Sequence, residues 1–241
     1  MVIVLTGQKR TGKSTAADFF NKKGFKSVAL ADGFKRDLAF TIDRLKFLGR
    51  PFSYQDANGE TEFDREEKIF SKFISEIIVQ ETYKRILGDD QKYYFVDDII
   101  DEYFDSDERK MYSFRELMQI TGTDIGCDEI DTQIWTKKTI SEIIASKEQN
   151  FIISDCRQDH ELNAFRKLGF KVLHIKRDTT GIVSKDFHVT ERPLLIKDDD
   201  SVINNNSTLD EFYIKLNNFL NKEWKWTKLN YYNNYSNKMR H

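Results

Sequence analysis

Apolar residues in this chain fall into short unbroken runs that alternate with stretches of three-to-four periodicity. Residues 2–5 are one such run, followed by a glycine loop and then by Ala16, Ala17, Phe19 and Phe20 at helical spacing. That order predicts strand, loop, helix. Gly24 fits a helix stop, residues 25–31 read as a second strand, and a helix over 34–48 should end at Gly49 and Pro51. Residues 151–154 form another buried-type strand that ends at Asp155. A helix over 160–168, a strand over 170–176, a short strand over 201–204 and a helix over 209–220 follow. Strands alternating with helices predict an α/β fold, a mainly parallel sheet flanked by helices.

Residues 49–112 differ in character, with a polar loop, a long amphipathic helix and an acidic, aromatic stretch. The helix carries Ile69, Phe70, Phe73, Ile74, Ile77, Ile78 and Tyr83 at i, i+3, i+4 spacing. The region reads as a helical insertion within one domain spanning 1–222, and two further helices are expected over 114–121 and 129–146. Residues 178–200 read as a polar loop. The tail over 223–241, rich in Asn, Lys, Tyr and Trp, is expected to be loosely ordered.

Composition narrows the class. Of 241 residues, 39% are hydrophobic and 32% charged, with no run near the roughly 18 apolar residues of a membrane span. The chain enters an apolar strand with no basic segment before it, so no secretory leader is expected. Cys127 and Cys156 then read as reduced thiols in a cytoplasm. A net charge of −2, from 38 basic and 40 acidic residues, gives no global field to draw in nucleic acid. Neither nucleic acid nor membrane is expected as a partner, and monomer and homodimer both stay open.

Gly7-Gln8-Lys9-Arg10-Thr11-Gly12-Lys13-Ser14 matches G-x-x-x-x-G-K-[ST] in full. Glycines let the loop backbone curl so that its N–H groups face a phosphate. Lys13 is then placed to bridge the β- and γ-phosphates of ATP, and the Ser14 hydroxyl to ligate Mg²⁺. The helix that starts here adds its positive dipole end. Residues 178–181 spell D-x-x-G, but no guanine-reading N-K-x-D follows, so that match reads as a turn rather than part of a GTP switch.

A small-molecule kinase fits this loop better. Transfer to a phosphate acceptor needs little acid–base chemistry, because the attacking oxygen is already anionic; it needs cations and positioning. The four histidines fall in no nucleophile or zinc pattern. Lys9, Arg10, Lys35, Arg65, Arg115, Arg157 and Arg177 lie at or near predicted strand ends and helix starts, although any one of them also suits a solvated surface. Asp155 reads either as a strand-end carboxylate that holds Mg²⁺ or as a helix N-cap. Trp135 reads either as core or as a base-stacking ring. Cys156 reads as a small buried residue, and the run Asp97, Asp98, Asp101, Glu102, Asp105 as a solvated face. An ATP-binding module that processes nucleic acid would need a basic groove, which the charge balance does not favour.

Seven segments, GQKRTGKSTAADFF (7–20), ALADGFKRDLAF (29–40), FDRE (63–66), SFRELMQITGTD (113–124), SDCRQDHE (154–161), HVTERPL (188–194) and SVINNNSTLDEF (201–212), resemble the deoxynucleoside monophosphate kinases of T-even bacteriophages. The resemblance implies an adenylate-kinase-like fold, ATP with Mg²⁺, a deoxynucleoside monophosphate as small-molecule substrate, and a bacterial host cytoplasm. It places Arg10, Gly12, Lys13, Ser14 and Thr15 on the ATP phosphates, and Lys35, Arg65 and Arg115 on the acceptor phosphate. Gly122, Thr123 and Trp135 would line the deoxynucleoside pocket. Asp155, Arg157, Gln158 and Glu161 would lie where the two phosphates meet or at the acceptor base edge. Lys13, Arg115, Asp155 and Arg157 are the implied catalytic set. Residues 202–207 also resemble the adenine-side loop of dephospho-coenzyme A kinase, the alternative reading, which would not account for RQDHE or GTD. Where the phage enzyme has a second arginine, this chain has Glu116.

Overall fold

The structure is a computed structural model that describes residues 1–8, 10–88, 91–178 and 194–238. Lys9 and most of the HVTERPL and 178–200 segments lie outside the described residues. In chain order run β1 (Val2–Thr6), α1 (Lys13–Asn21), β2 (Lys26–Val28), α2 (Asp32–Leu45), α3 (Tyr54–Asn58), β3 (Lys68–Ser71), α4 (Lys72–Leu87) and α5 (Gln91–Ile99). A 3₁₀ turn (Ile100–Tyr103), β4 (Met111–Ser113), α6 (Phe114–Gln119), a π-helical segment (Ile120–Ile130), α7 (Ile134–Ala145) and β5 (Phe151–Ile153) come next. The chain closes with α8 (Asp159–Lys167), β6 (Lys171–Lys176), β7 (Ser201–Asn204) and α9 (Leu209–Lys238). These elements divide into two compact units, one of residues 1–28 with 146–241 and one of residues 29–145. The second takes in the 49–112 stretch together with α2, α6 and α7.

The first unit is a five-stranded parallel sheet in the order β2-β5-β1-β6-β7. β1 sits at the centre, with Ile3, Val4 and Leu5 fully buried, which is why its sequence is an unbroken apolar run rather than an alternating one. Phe20 of α1 and Phe212, Leu216 and Phe219 of α9 cover Ile3, Leu5, Leu173 and Ile175 in one core. The loops that leave the carboxyl ends of β1, β5 and β6 therefore meet where such sheets bind ligands. β2 is shorter than expected, 26–28 against 25–31.

The tail departs from expectation. Instead of stopping at Leu220, α9 runs to Lys238. No glycine or proline interrupts it, Glu223 pairs with Lys171 at 3.0 Å, and Trp224 stacks on Phe25 at 6.5 Å between ring centroids. Those contacts carry the helix past the point where its apolar stripe thins.

The second unit is helical apart from a two-stranded antiparallel ribbon of β3 and β4. Ile69 and Phe70, expected in the long helix, lie in β3, with Phe70 opposite Tyr112 and both buried. Ser71 caps α4, its Oγ accepting from the Ile74 N–H. The expected helices over 114–121 and 129–146 are joined by the π-helical segment. There the Thr121 carbonyl accepts from Tyr83 Oη and the Gly122 carbonyl from Trp135 Nε1 at 2.6 Å, so side chains serve groups that an α-helix would bond internally. Gly126 faces this knot. A Cβ there would stand 2.7 Å from the Trp135 ring and 2.8 Å from the Thr121 oxygen.

Within the first unit, Asp200 gathers three partners. Arg166 donates to it from Nε at 3.1 Å and also from Nη2, the Lys197 N–H donates at 2.9 Å, and His174 Nε2 lies at 2.9 Å. An ionised Asp200 only accepts, so His174 donates from Nε2 as the neutral imidazole. Burial pushes the His174 pKa below its usual 6.5 and outweighs the pull of Asp200, with Arg166 and Lys176 acting in the same direction as burial. Burial works against the Asp200 carboxylate, but the donors, Arg166 first, hold its pKa below the usual 3.8.

Both groups bind protons more weakly folded than unfolded, so stability falls as pH falls. His174 contributes its loss below 6.5 and Asp200 a further loss below 3.8. His174→Gln keeps a donor for Asp200 and does not titrate, so it should flatten the fall between about pH 7.5 and about pH 5. Urea midpoints at those two values test this, and an unchanged difference between them would contradict it.

Candidate active site

The turn from β1 into α1 is made by residues that only small side chains permit. Gly7 has φ 148° and Gly12, the N-cap of α1, has φ 106°. A Cβ on Gly7 would lie 2.3 Å from the Ile175 carbonyl oxygen, and one on Gly12 2.5 Å from Asn205 Nδ2. Arg10 also has positive φ, 66°, at the outer bend. Thr11 Oγ1 donates to the Gln8 carbonyl at 2.9 Å. Asn205, just past β7, donates from Nδ2 to the Thr11 carbonyl at 2.8 Å, while its own N–H bonds the Lys176 carbonyl at 2.7 Å. Lys13 Nζ donates to the carbonyls of Gly7 and Gln8, the latter at 2.8 Å, which draws the ammonium inside the curve of the loop.

A cavity of about 590 Å³ opens on this loop. Gly7, Gln8 and Lys13 line it from one strand end, Asp155 and Arg157 from the next, and His174 and Arg177 from a third. Ser14 and Thr15 lie in the first turn of α1, with Ser14 exposed. The structure thus gathers the predicted phosphate-loop lysine, the strand-end carboxylate and the adjacent arginine around one space.

α8 begins at Asp159 with Gln158 as its N-cap, so the cap of this helix is not Asp155. Glu161 Oε2 accepts the Arg157 N–H at 2.8 Å and the Gln158 N–H at 3.0 Å, which fixes the backbone that carries Arg157. Cys156 is buried, and burial first, then the Glu161 and Asp155 charges, pushes its thiol well above the usual range. A thiol so rarely ionised is no nucleophile.

The predicted acceptor residues lie in the second unit. Lys35 Nζ donates to Asn58 Oδ1 at 2.8 Å, and Asn58 Nδ2 donates to Glu60 at 2.6 Å. The Arg65 guanidinium lies against Gly59, where a Cβ would be 2.7 Å from its Cζ, and donates to the Ala57 carbonyl at 3.3 Å. The Arg115 N–H bonds the Arg65 carbonyl at 3.0 Å, and the Arg115 side chain pairs with Glu66. Lys35 and Arg65 therefore share the carboxyl end of α3, and Arg115 is tied to Arg65 through the backbone. Glu116 accepts the Ser113 N–H at 2.7 Å and caps α6, a structural task at the place of the relative's second arginine.

Of the residues expected in the nucleoside pocket, Thr123 is exposed, and Gly122 is so close to Phe34 that a Cβ would meet its ring at 3.0 Å. Trp135 is only 7% exposed, its N–H is occupied by Gly122, and its ring packs on Phe34 at 4.9 Å. That geometry favours the core reading of Trp135 over base stacking. Sequence reasoning did not single out Asn58 or the side-chain role of Asn205. The Asn204-Asn205-Asn206 run directly after an apolar strand was the available signal for the second.

The deoxynucleotide monophosphate kinase family model matches residues 1–216. The chain is 30% identical to the deoxynucleotide monophosphate kinase of Escherichia phage RB69, over 91% of this chain and 99% of that protein. It is 29% identical to the enzyme of that name from Enterobacteria phage T4, over 91% and 98%. With its glycine-built phosphate loop on a parallel sheet and its match along nearly the whole length, the chain belongs to the deoxynucleotide monophosphate kinase family and is a nucleotide kinase.

Proposed function

We propose that the chain moves the γ-phosphoryl group of ATP onto a deoxynucleoside monophosphate of the dGMP, dTMP or hydroxymethyl-dCMP type, giving the diphosphate and ADP. The observation that carries this reading is the cavity in which Lys13, Asp155 and Arg157 surround a loop too tight for any side chain at Gly7 or Gly12. Such a loop presents backbone N–H groups to an anion, and Lys13 supplies charge to the β- and γ-phosphates. The Ser14 hydroxyl and the Asp155 carboxylate are hard oxygen donors of the kind that suit Mg²⁺, and would hold it here. Bound there, Mg²⁺ would supply charge neutralisation at the phosphates.

The acceptor's phosphate oxygen attacks the γ-phosphorus as the bond to the β–γ bridging oxygen breaks. Arg157 would offset the charge on the transferring group, and Lys35, Arg65 and Arg115 would hold the acceptor phosphate, for which guanidinium forks suit the oxygens.

A coupled assay of ADP release over a panel of deoxy- and ribonucleoside monophosphates, with dephospho-coenzyme A as a control, tests the reading; no release with any deoxynucleotide would sink it. Lys13→Ala should lower kcat by about 10²- to 10³-fold. Arg115→Ala should raise the acceptor KM by about 10- to 100-fold with little change in that of ATP, as expected for loss of a hydrogen bond to a charged group. Normal acceptor kinetics in that variant would refute the role given to Arg115.

A further inference from the structure

The buried cluster around Asp200 has no part in the chemistry above, yet it is built at some cost. The Arg166 and Asp200 side chains are only 12% and 3% exposed. A buried ion pair is a net burden unless its remaining hydrogen-bonding groups are also satisfied. Here they are: Arg166 adds bonds to Asn163 Oδ1 at 3.1 Å and to the Leu195 carbonyl at 2.7 Å, and Asp200 adds the Lys197 N–H and His174. The Leu195 peptide is gripped from its other side as well, its N–H donating to Asp159 Oδ1 at 2.9 Å. Asp159 and Arg166 stand at opposite ends of α8, so Leu195 is strapped along that helix by both of its backbone polar groups.

The consequence lies in where the neighbouring side chains go. Leu195 is 60% exposed, while Leu194 and Ile196 both line the phosphate-loop cavity beside Asp155, Arg157 and Lys13. Alternation of this kind is what an extended strap produces. Leu194 and Ile196 are thus apolar groups set among the charged lining of that cavity.

We propose that Asp159, Arg166 and Asp200 are positioning residues that hold Leu194 and Ile196 as a water-excluding wall over the transferring phosphoryl group, and that this wall makes the enzyme a kinase rather than an ATPase. The inference rests on the reading given under Proposed function. In productive turnover an acceptor phosphate oxygen bonds to the γ-phosphorus, and the pair of the breaking P–O bond leaves with ADP. In the leak a water oxygen takes the acceptor's place, releases a proton to solvent, and yields inorganic phosphate and ADP. The same cations favour both reactions, so selectivity depends on keeping water out.

The test uses the full chain with ATP and Mg²⁺, following inorganic phosphate and deoxynucleoside diphosphate in the same samples, with and without acceptor. Ile196→Ser and Leu194→Ser leave the clamp intact, whereas Arg166→Ala removes it and Arg166→Lys retains part of it. The ratio of phosphate release to transfer should rise by on the order of tenfold in the two serine variants and in Arg166→Ala. Arg166→Lys should recover part of the wild-type ratio. A merely structural role would lower both rates together. An unmoved ratio in the serine variants overturns the wall, whatever becomes of the folding of Arg166→Ala. Absence of transfer by the wild-type chain would instead remove the functional reading beneath it.

Discussion

Everything at the candidate site depends on a steric constraint at the end of β1. The chain must leave the central strand of the sheet, turn through two glycines of positive φ and enter α1 with its amide groups unobstructed. Gly7 is pressed against the backbone of β6, and Gly12 against the side chain of Asn205. The loop is therefore shaped from outside, by β6 and by the residue that follows β7, as much as by its own residues. Pre-shaping matters because a cradle already curved spends none of the ligand's binding energy on ordering itself.

The second unit assembles its cations by a different route. Lys35, Arg65 and Arg115 come from separate segments and are held together by one short helix: Asn58 receives Lys35, Gly59 makes room for Arg65, and the Arg65 carbonyl anchors Arg115. Side-chain charge is mobile unless a backbone fixes it, and here two of the three contacts run through the main chain. Glu116 shows the same economy, its carboxylate closing the capping box that starts α6.

What the sequence disclosed follows the range of the interactions. The glycine motif, the unbroken strand β1 and the start of α1 are local, and each was readable from neighbouring residues. β3 was misread because Ile69 and Phe70 continue the helical spacing of α4 by chance, and only pairing with Tyr112, more than forty residues on, makes them a strand. The π-helical segment depends on Tyr83 and Trp135 reaching carbonyls from other helices. The Arg166, His174 and Asp200 cluster left no trace at all, since its members are ordinary surface types until the sheet brings them together. α9 outran its expected end because Trp224 and Glu223 find partners on β2's flank and on β6.

The sheet order also bears on how the protein is made. β1 pairs with β5 and β6, so Val2 waits for Phe151, and Ile3 for Ile152, before either has a neighbour. No strand of the first 28 residues can be paired until most of the polypeptide has left the ribosome, whereas residues 29–145 emerge as one continuous stretch. Assembly of the nucleotide-binding sheet is thus a late event in synthesis, with long-range pairing that closes slowly. The nascent apolar run at the amino terminus is the part of the chain that a cell must shelter longest.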